Sequence, residues 1–565
     1  MSPVLEAERE AAVARVVAKG WTRRSTALLL GVLLLSTAVI VRGIRKGEFS
    51  YNVDETQHAM TGFFVADLIR DHPLRHPVDY AYQYYAQYPA LAGVIHWPPL
   101  FYLFEALSFM LLGPSVVSAR LVILAFALAA IAVWFVLMRE MQNEWMAAVS
   151  GLLLACAPGV ILFEKSVMLE IPCLAFSLAA TLFWIRYLLG RSAGDIYWFA
   201  IFASGAALTK QNAIYLIPFC TLSGLSVEGW RMFVRPAVLR AAAIGVVLSA
   251  PFYCVVYLLH WKTVAVDLME KSGSKVDAAS FYWKALPDQI GWATFGLAVL
   301  GLITCREWAR PKMPAIMLSW IAACDLTFTL IGHKESRYAL YWIPAFAYFA
   351  VGPLVGYFRR WQLRIAGRAA AFVLIGTSLG YAWTFQRPYV SGYQSVAEKV
   401  TEISKSGVVL FDGPLPGNFI FFLRVNDVQR HFVVLRKALY ATRLKPSGAT
   451  IELVHSTDEI QQLIHAYGIR FFVVSEGVPL KFDSQKMLRE VLQAPGFRKV
   501  GSFPIVGSDL SPNLSLALYE NTAWAPPTEK YLRVKMLTLD HDIVVPMDRF
   551  TVGSSQSSPT VVTSR

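Results

Sequence analysis

STALLLGVLLLSTAVIVRGIRKGEFSYNVDETQHAM, residues 25–60, sets the reading of the whole chain. Residues 25–44 are apolar almost throughout, and at about 1.5 Å per helical residue such a run spans a hydrocarbon core of about 30 Å. Two adjacent acids, Asp54 and Glu55, follow about ten residues later. Two physical roles suit carboxylates at that place. Asp54 can be the N-cap of a helix from Glu55 to Arg70, with Gln57 as its capping-box partner. That helix would lie along the bilayer surface on Met60, Phe63, Phe64 and Leu68. A capped carboxylate is also held still, so it can serve as a base.

Composition supports a membrane setting. Of the 565 residues, 56% are hydrophobic and 16% charged, against about 25% charged in a soluble protein. Sixteen Trp, 24 Tyr and 35 Phe suit interfacial aromatic belts. The net charge of +13 raises nucleic acid as a partner, but its distribution assigns it to loops on one side of a membrane, and no nucleic-acid partner is expected. All six cysteines precede residue 325 in or beside apolar segments, so the polar C-terminal region has no disulfide framework. No C-x-x-C or H-E-x-x-H pattern occurs. Residues 1–24 read as a polar, helical, cytoplasmic leader, and no cleavable signal is expected.

Apolar spans are expected at 25–44, 116–138, 145–163, 171–189, 195–209, 211–226, 237–259, 287–304, 314–331, 338–357 and 367–385, eleven in all. A further segment, 98–112, is short and contains Glu105. Positive charge orients the set. Arg23 and Arg24 precede the first span and place the N-terminus in the cytoplasm. If 98–112 does not cross, the basic clusters from Arg139 to Arg368 also fall inside. If it does cross, nearly all of them fall outside. The segment is therefore read as an interfacial helix within one external loop, 45–115. This parity brings Asp54, Glu55, His96, Glu170, Lys210, His260, His333 and Arg337 near the external face.

From about 386 the pattern changes. Residues 407–413, 419–425, 431–436, 469–476, 497–505 and 515–521 read as strands, with helices over 396–404, 456–468 and 484–493 between them. An extracytoplasmic α/β domain is expected over 386–550, and 551–565 reads as a disordered Ser/Thr-rich tail.

Several residues in these segments suit chemistry. Glu170 opens the span at 171, with Pro172 just inside, so it is either a helix-terminus acid or a functional one. Lys210 lies between two spans, where a lysine either snorkels or meets a phosphate. In GHKESRYALYWIP, residues 332–344, Lys334 and Arg337 form a basic cluster on the external side, with His333 and Tyr338 beside them. An arginine there suits bidentate phosphate binding. His96 precedes Trp97-Pro98-Pro99. With other external acids or histidines it could complete a metal site, although no ligand spacing points to one.

In order along the chain there are a first span followed by Asp-Glu, a Pro-Pro-Leu helix, an acid opening a later external helix, an external basic residue, and Arg-Tyr before a Pro-containing span. This order resembles the GT-C membrane glycosyltransferases, and within them the protein O-mannosyltransferases and the bacterial lipid A aminoarabinose transferases. The resemblance covers residues 25–385. It implies a polytopic α-helical fold of about eleven transmembrane helices plus interfacial helices, with a C-terminal α/β domain outside. It implies transfer of a hexosyl or pentosyl group from a polyprenyl-phosphate sugar to a hydroxyl on a protein, lipid or glycan. Asp54 matches the family's first-loop catalytic carboxylate, with Glu55 its neighbour. Glu170 stands where the family usually has Asp. Lys210 and Arg337 match positions near the donor phosphate. The aminoarabinose transferases have Glu-Lys before Pro-Pro, whereas this chain has His96-Trp97, so a carboxylate and a lysine are replaced. A divalent metal is left open. The alternative reading is a transporter of lipid-linked sugars, which would place charge at mid-membrane. Here the mid-span segments are nearly free of charge, with Asp325 the main exception.

Overall fold

The eleven apolar segments all form helices in the computed structural model, and their lengths sort them into three groups. The structure describes residues 21–547 except 51, 74, 92–96, 191, 270–274, 355–363, 443–449 and 537–541, with backbone only at 52, 259–269, 275–278, 364 and 442. Expectations for His96, for the side chain of His260, for most of the leader and for the tail lie outside these residues. Among the described residues six helices are long and apolar enough to cross a membrane: Arg23–Val41, Val116–Met141, Glu170–Gly190, Pro236–Leu258, Met313–Leu330 and Ile365–Thr384. Two bent helix pairs pass the same test when each is taken together. Glu144–Ala155 and Pro158–Glu164 meet at 67°, and Ala279–Ile290 and Trp292–Ile303 meet at 114°. Pro158 begins the second helix of the first pair, where its missing N–H costs nothing. Gly291, at φ +83°, permits the sharper bend of the second. The remaining segments are shorter. One is Ala193–Ala207, and the other two enter their helices through 3₁₀ turns, Gln211–Tyr215 before Leu216–Val227 and Ser336–Trp342 before Ile343–Gly352. The protein is a multi-pass membrane protein.

The chain divides into two compact units. The first holds residues 1–44, 95–101 and 120–387; the second holds 45–94, 102–119 and 388–565.

In the second unit a five-stranded sheet is formed by β1 (Gly407–Asp412), β2 (Phe432–Leu435), β3 (Ile469–Glu476), β4 (Phe497–Pro504) and β5 (Ser515–Asn521). Their order is β2-β1-β3-β5-β4, parallel across β2, β1 and β3 and antiparallel thereafter. The helices Tyr393–Ile403, Thr457–Tyr467 and Asp483–Val491 stand where the sequence places them. Ser456 caps the second of these through Glu459 N–H, and Gly468 ends it at φ +58°.

One expectation fails here. Residues 419–425, read as a strand, lie in the helix Pro416–Asn426. Phe419, Ile420, Phe421 and Leu423 are all fully buried, so the run is apolar on every side and shows no helical period. The connection from β1 to the parallel β2 also requires a crossover, which a helix supplies. The two-stranded pairings at 390–391 with 506–507, 440–442 with 450–452 and 531–534 with 543–546 were not legible in the sequence.

The first external loop is built into this unit. Its helix Asn52–Asp71 packs on Pro416–Asn426, and its helix Pro77–Gln87 packs on β2 and on the strand Ile543–Pro546. The first helix therefore does not lie exposed on one apolar face. Met60, Phe63 and Phe64 are buried, and so are Thr61, Ala66 and Asp67. Polar side chains fix the seam. Asn418 pairs with the Phe49 backbone in both directions, at 3.1 and 2.8 Å. Glu48 accepts the N–H groups of Gly392, Tyr393 and Gln394, which closes the N-terminus of Tyr393–Ile403. Arg424 donates to Asp67 at 2.5 Å, and Tyr84 donates to the same oxygen at 2.8 Å. Tyr88 donates to Asp427 at 2.6 Å.

Candidate active site

In the first unit the structure gathers Glu170, Lys210, His333, Arg337 and Tyr338 from three separate stretches of chain. Glu170 is the first residue of its helix, where the N-terminal dipole favours an anion. Lys210 follows Ala193–Ala207 with extended backbone and leads into the Gln211–Tyr215 turn. Arg337 sits in the Ser336–Trp342 turn, directly after the extended Glu335. Both cations thus stand at breaks between helices.

The geometry is a chain of ion pairs. Lys210 Nζ donates to Glu170 Oε1 at 2.5 Å, with the two side chains 3% and 0% exposed. Arg337 Nε lies 3.6 Å from the same oxygen. Arg337 also pairs with both oxygens of Glu335, Nη2 donating to Oε1 at 3.1 Å. His333 Nε2 is 2.7 Å from Glu335 Oε1. The Trp97 and Tyr338 rings lie 5.7 and 6.0 Å from the Lys210 ammonium. Two cations are therefore matched by two carboxylates in a largely dry setting, where an unpaired charge would be costly. Burial raises the Glu335 carboxyl, but Arg337 and the His333 hydrogen bond outweigh it and hold the group below its ordinary value. One acceptor is left over: Glu170 Oε2 is buried and has no hydrogen-bond partner among the described residues. It is a ready acceptor for a hydroxyl brought by a ligand.

Sequence reasoning missed Glu335. Its signal was an acid between Lys334 and Arg337 in an otherwise basic run. Lys334 departs from its expected role. Its ammonium donates to the carbonyls of Phe328 and Thr329, at 2.8 and 2.6 Å, and of Ile331, and so closes the C-terminus of Met313–Leu330.

Asp54 and Glu55 belong to the second unit. Their helix starts at Asn52, three residues earlier than the capping reading requires, so both acids lie in its first turn. Glu55 is fully buried and accepts the Ser50 N–H at 2.8 Å, which makes it the helix-terminus acceptor. Asp54 is half-buried. One turn on, His58 Nδ1 lies 2.8 Å from Tyr102 Oη, both buried. Among the described residues no group of three or more His, Cys, Asp or Glu is arranged to hold a metal ion.

Two solved structures share this fold across most of the chain. ArnT from Cupriavidus metallidurans, crystallised with undecaprenyl phosphate, superposes with a TM-score of 0.59 at 14% identity, covering 89% of this chain and 98% of ArnT. The Archaeoglobus fulgidus oligosaccharyltransferase, solved with Zn and sulfate, gives 0.51 at 11% identity over 79% of this chain and 68% of its own. The chain has the GT-C fold of membrane glycosyltransferases. In sequence, residues 96–254 match the family model described as dolichyl-phosphate-mannose-protein mannosyltransferase. No curated protein matches the chain in sequence.

Proposed function

We propose that this protein transfers a hexosyl or pentosyl group from a polyprenyl-phosphate sugar to a hydroxyl of a protein, lipid or glycan on the extracytoplasmic face. The observation that carries the reading is the Glu170–Lys210–Arg337–Glu335 cluster, its first three members buried, in a fold of this class. It holds two oriented cations and one unused carboxylate oxygen. ArnT, of the same fold, is seen with undecaprenyl phosphate, and a polyprenyl phosphate is the donor carrier proposed here.

The chemistry follows from charge. Asp54 takes the proton of the acceptor hydroxyl as its oxygen attacks the anomeric carbon. The bond from that carbon to the phosphate oxygen breaks, and the phosphate leaves with the electron pair. Lys210 and Arg337 stabilise the negative charge that grows there, and their carboxylate partners hold them in place beforehand. Glu170 Oε2 receives a hydroxyl and orients it. A single displacement inverts the anomeric carbon.

Purified protein is given a panel of polyprenyl-phosphate sugars and a membrane extract, and free polyprenyl phosphate is measured. Release from one donor, reduced at least a hundredfold in Asp54→Asn, is expected. Turnover of Asp54→Asn within a few-fold of the native chain would show that Asp54 is not the base. No release from any donor would favour the transporter reading, which flipping of the same lipids across vesicles would then decide.

A further inference from the structure

Lys165 follows the short helix Pro158–Glu164, and the proposed mechanism gives it no task. It is 6% exposed, and its ammonium makes no hydrogen bond among the described residues. A buried ammonium without an acceptor is costly, so the fold would not keep one without a compensating partner. Two further cations act on it. Arg42, just past the first span, and Arg387, just past the last, both lie within electrostatic reach. Arg387 is itself 6% exposed. Arg42 lies over the Trp383 ring at 4.5 Å and donates to the Trp383 carbonyl, which fixes its guanidinium. The Phe385 ring lies 5.9 Å from the Lys165 ammonium. Glu164 precedes Lys165, and its Oε2 also has no hydrogen-bond partner among the described residues. The contrast with Lys210 is direct: Lys210 donates to Glu170, whereas the Lys165 ammonium has no such acceptor among the described residues.

The helices Pro158–Glu164 and Ile365–Thr384 also border a mostly apolar cavity, away from Lys165. A space of about 480 Å³ is lined mostly by apolar residues such as Cys156, Pro158, Trp292 and Leu374, with Asp288 and Ser378 among its polar ones, where both helix pairs bend. Pro158 and Lys165 bracket one short helix of about 10 Å. Tyr381 and Phe385 are one turn apart, with ring centroids at 6.1 Å. Cations at one end and an apolar space at the other match an amphiphile with an anionic head.

We infer that Lys165, Arg387 and Arg42 bind the phosphate group of a lipid whose chain enters the cavity at the helix breaks, a second lipid-phosphate site built from residues other than Lys210 and Arg337. Arginine offers phosphate a planar fork and lysine a compact charge. The head group can come from a polyprenyl phosphate or from an anionic phospholipid of the bilayer.

Binding to the full-length protein in detergent tests this without requiring transfer. The probes are a polyprenyl phosphate, phosphatidylglycerol, inorganic phosphate and uncharged polyprenol. At least one of the two lipid phosphates is expected to bind about tenfold or more tightly than polyprenol and inorganic phosphate. Lys165→Met and Arg42→Gln are each expected to weaken that lipid about tenfold, with Lys165→Arg retaining most of the affinity. The lipid that loses affinity names the occupant. If Lys165→Met does not fold, the exposed Arg42→Gln decides. Unchanged affinity for both lipids in the folded variants would overturn the inference. So would a loss produced by Lys210→Met alone, which would assign the phosphate to the other cluster. Loss of transfer in Asp54→Asn with lipid binding intact leaves this inference standing, so the two proposals fail separately.

Discussion

Glu170 and Lys210 are forty residues apart in the chain and 2.5 Å apart in space, both out of water. Removing one partner of such a pair strands the other charge and costs about 3–5 kcal/mol, while replacing both with apolar groups costs much less. Glu170→Gln and Lys210→Met are therefore each expected to lower the melting temperature of the purified protein, with the double variant recovering part of the loss. Additive losses in this cycle would show that the pair is not coupled. Both acids in the opening stretch were visible in the sequence, but their division of labour was not. A shift of three residues in the helix start makes Glu55 the terminus acceptor and leaves Asp54 half-exposed. Only the backbone fixes that shift.

The helix Pro416–Asn426 was the element most open to misreading, and it holds the first external loop. Its Arg424 meets Asp67 and Tyr84 of that loop, its Asn418 holds the Phe49 backbone, and Gly417 leaves room for Thr56, since a Cβ there would stand 2.1 Å from Thr56 Oγ1. Arg424→Met removes the buried charge partner of Asp67 and leaves it only Tyr84 and the exposed Arg70. It is expected to destabilise the unit by about 3–5 kcal/mol, read as faster proteolysis within residues 45–94 and a lower unfolding temperature. The neighbouring contact has a pH signature. Burial raises the Asp71 carboxyl, but Arg430 and the Tyr80 hydroxyl outweigh it and hold the group below its ordinary value. A carboxyl lowered in the folded state adds stability that is complete above its unfolded value and is lost as pH falls through its folded one. The melting temperature of the native chain should therefore fall below about pH 4 more steeply than that of Asp71→Asn. Parallel curves would remove Asp71 from the acid response.

At the scale of the molecule, the second unit draws on both ends of the sequence: residues 45–94 and 102–119 fold with 388–565. Its core joins Ala86 of the first loop to Val433, Ile464, Ala517 and Val545 of the C-terminal half. A fragment of 386–550 alone would expose the surfaces that Asn52–Asp71 and Pro77–Gln87 cover. It is expected to aggregate, and a chain ending at 385 is expected to lose transfer even if its spans insert. Comparing polyprenyl phosphate release by the full chain and by the truncated one in the same detergent is the check. A monodisperse, cooperatively melting 386–550 fragment would contradict this account.

The sequence by itself determined what depends on local composition and period. It gave the apolar helices, the α/β alternation after 386 with most of its strands, and the short helix at 100–112, because burial in lipid or in a sheet leaves a direct record in residue type. It also picked out Glu170, Lys210 and Arg337, because ionisable groups beside membrane spans are rare enough to stand out. Tertiary structure alone decided which charge meets which. Glu335 is a partner of Arg337, Lys334 closes a helix, and Glu48, Asp67 and Asp71 bind the C-terminal half. A side chain's charge is written in the sequence. Its partner is set by packing over tens to hundreds of residues, and no local pattern encodes that distance.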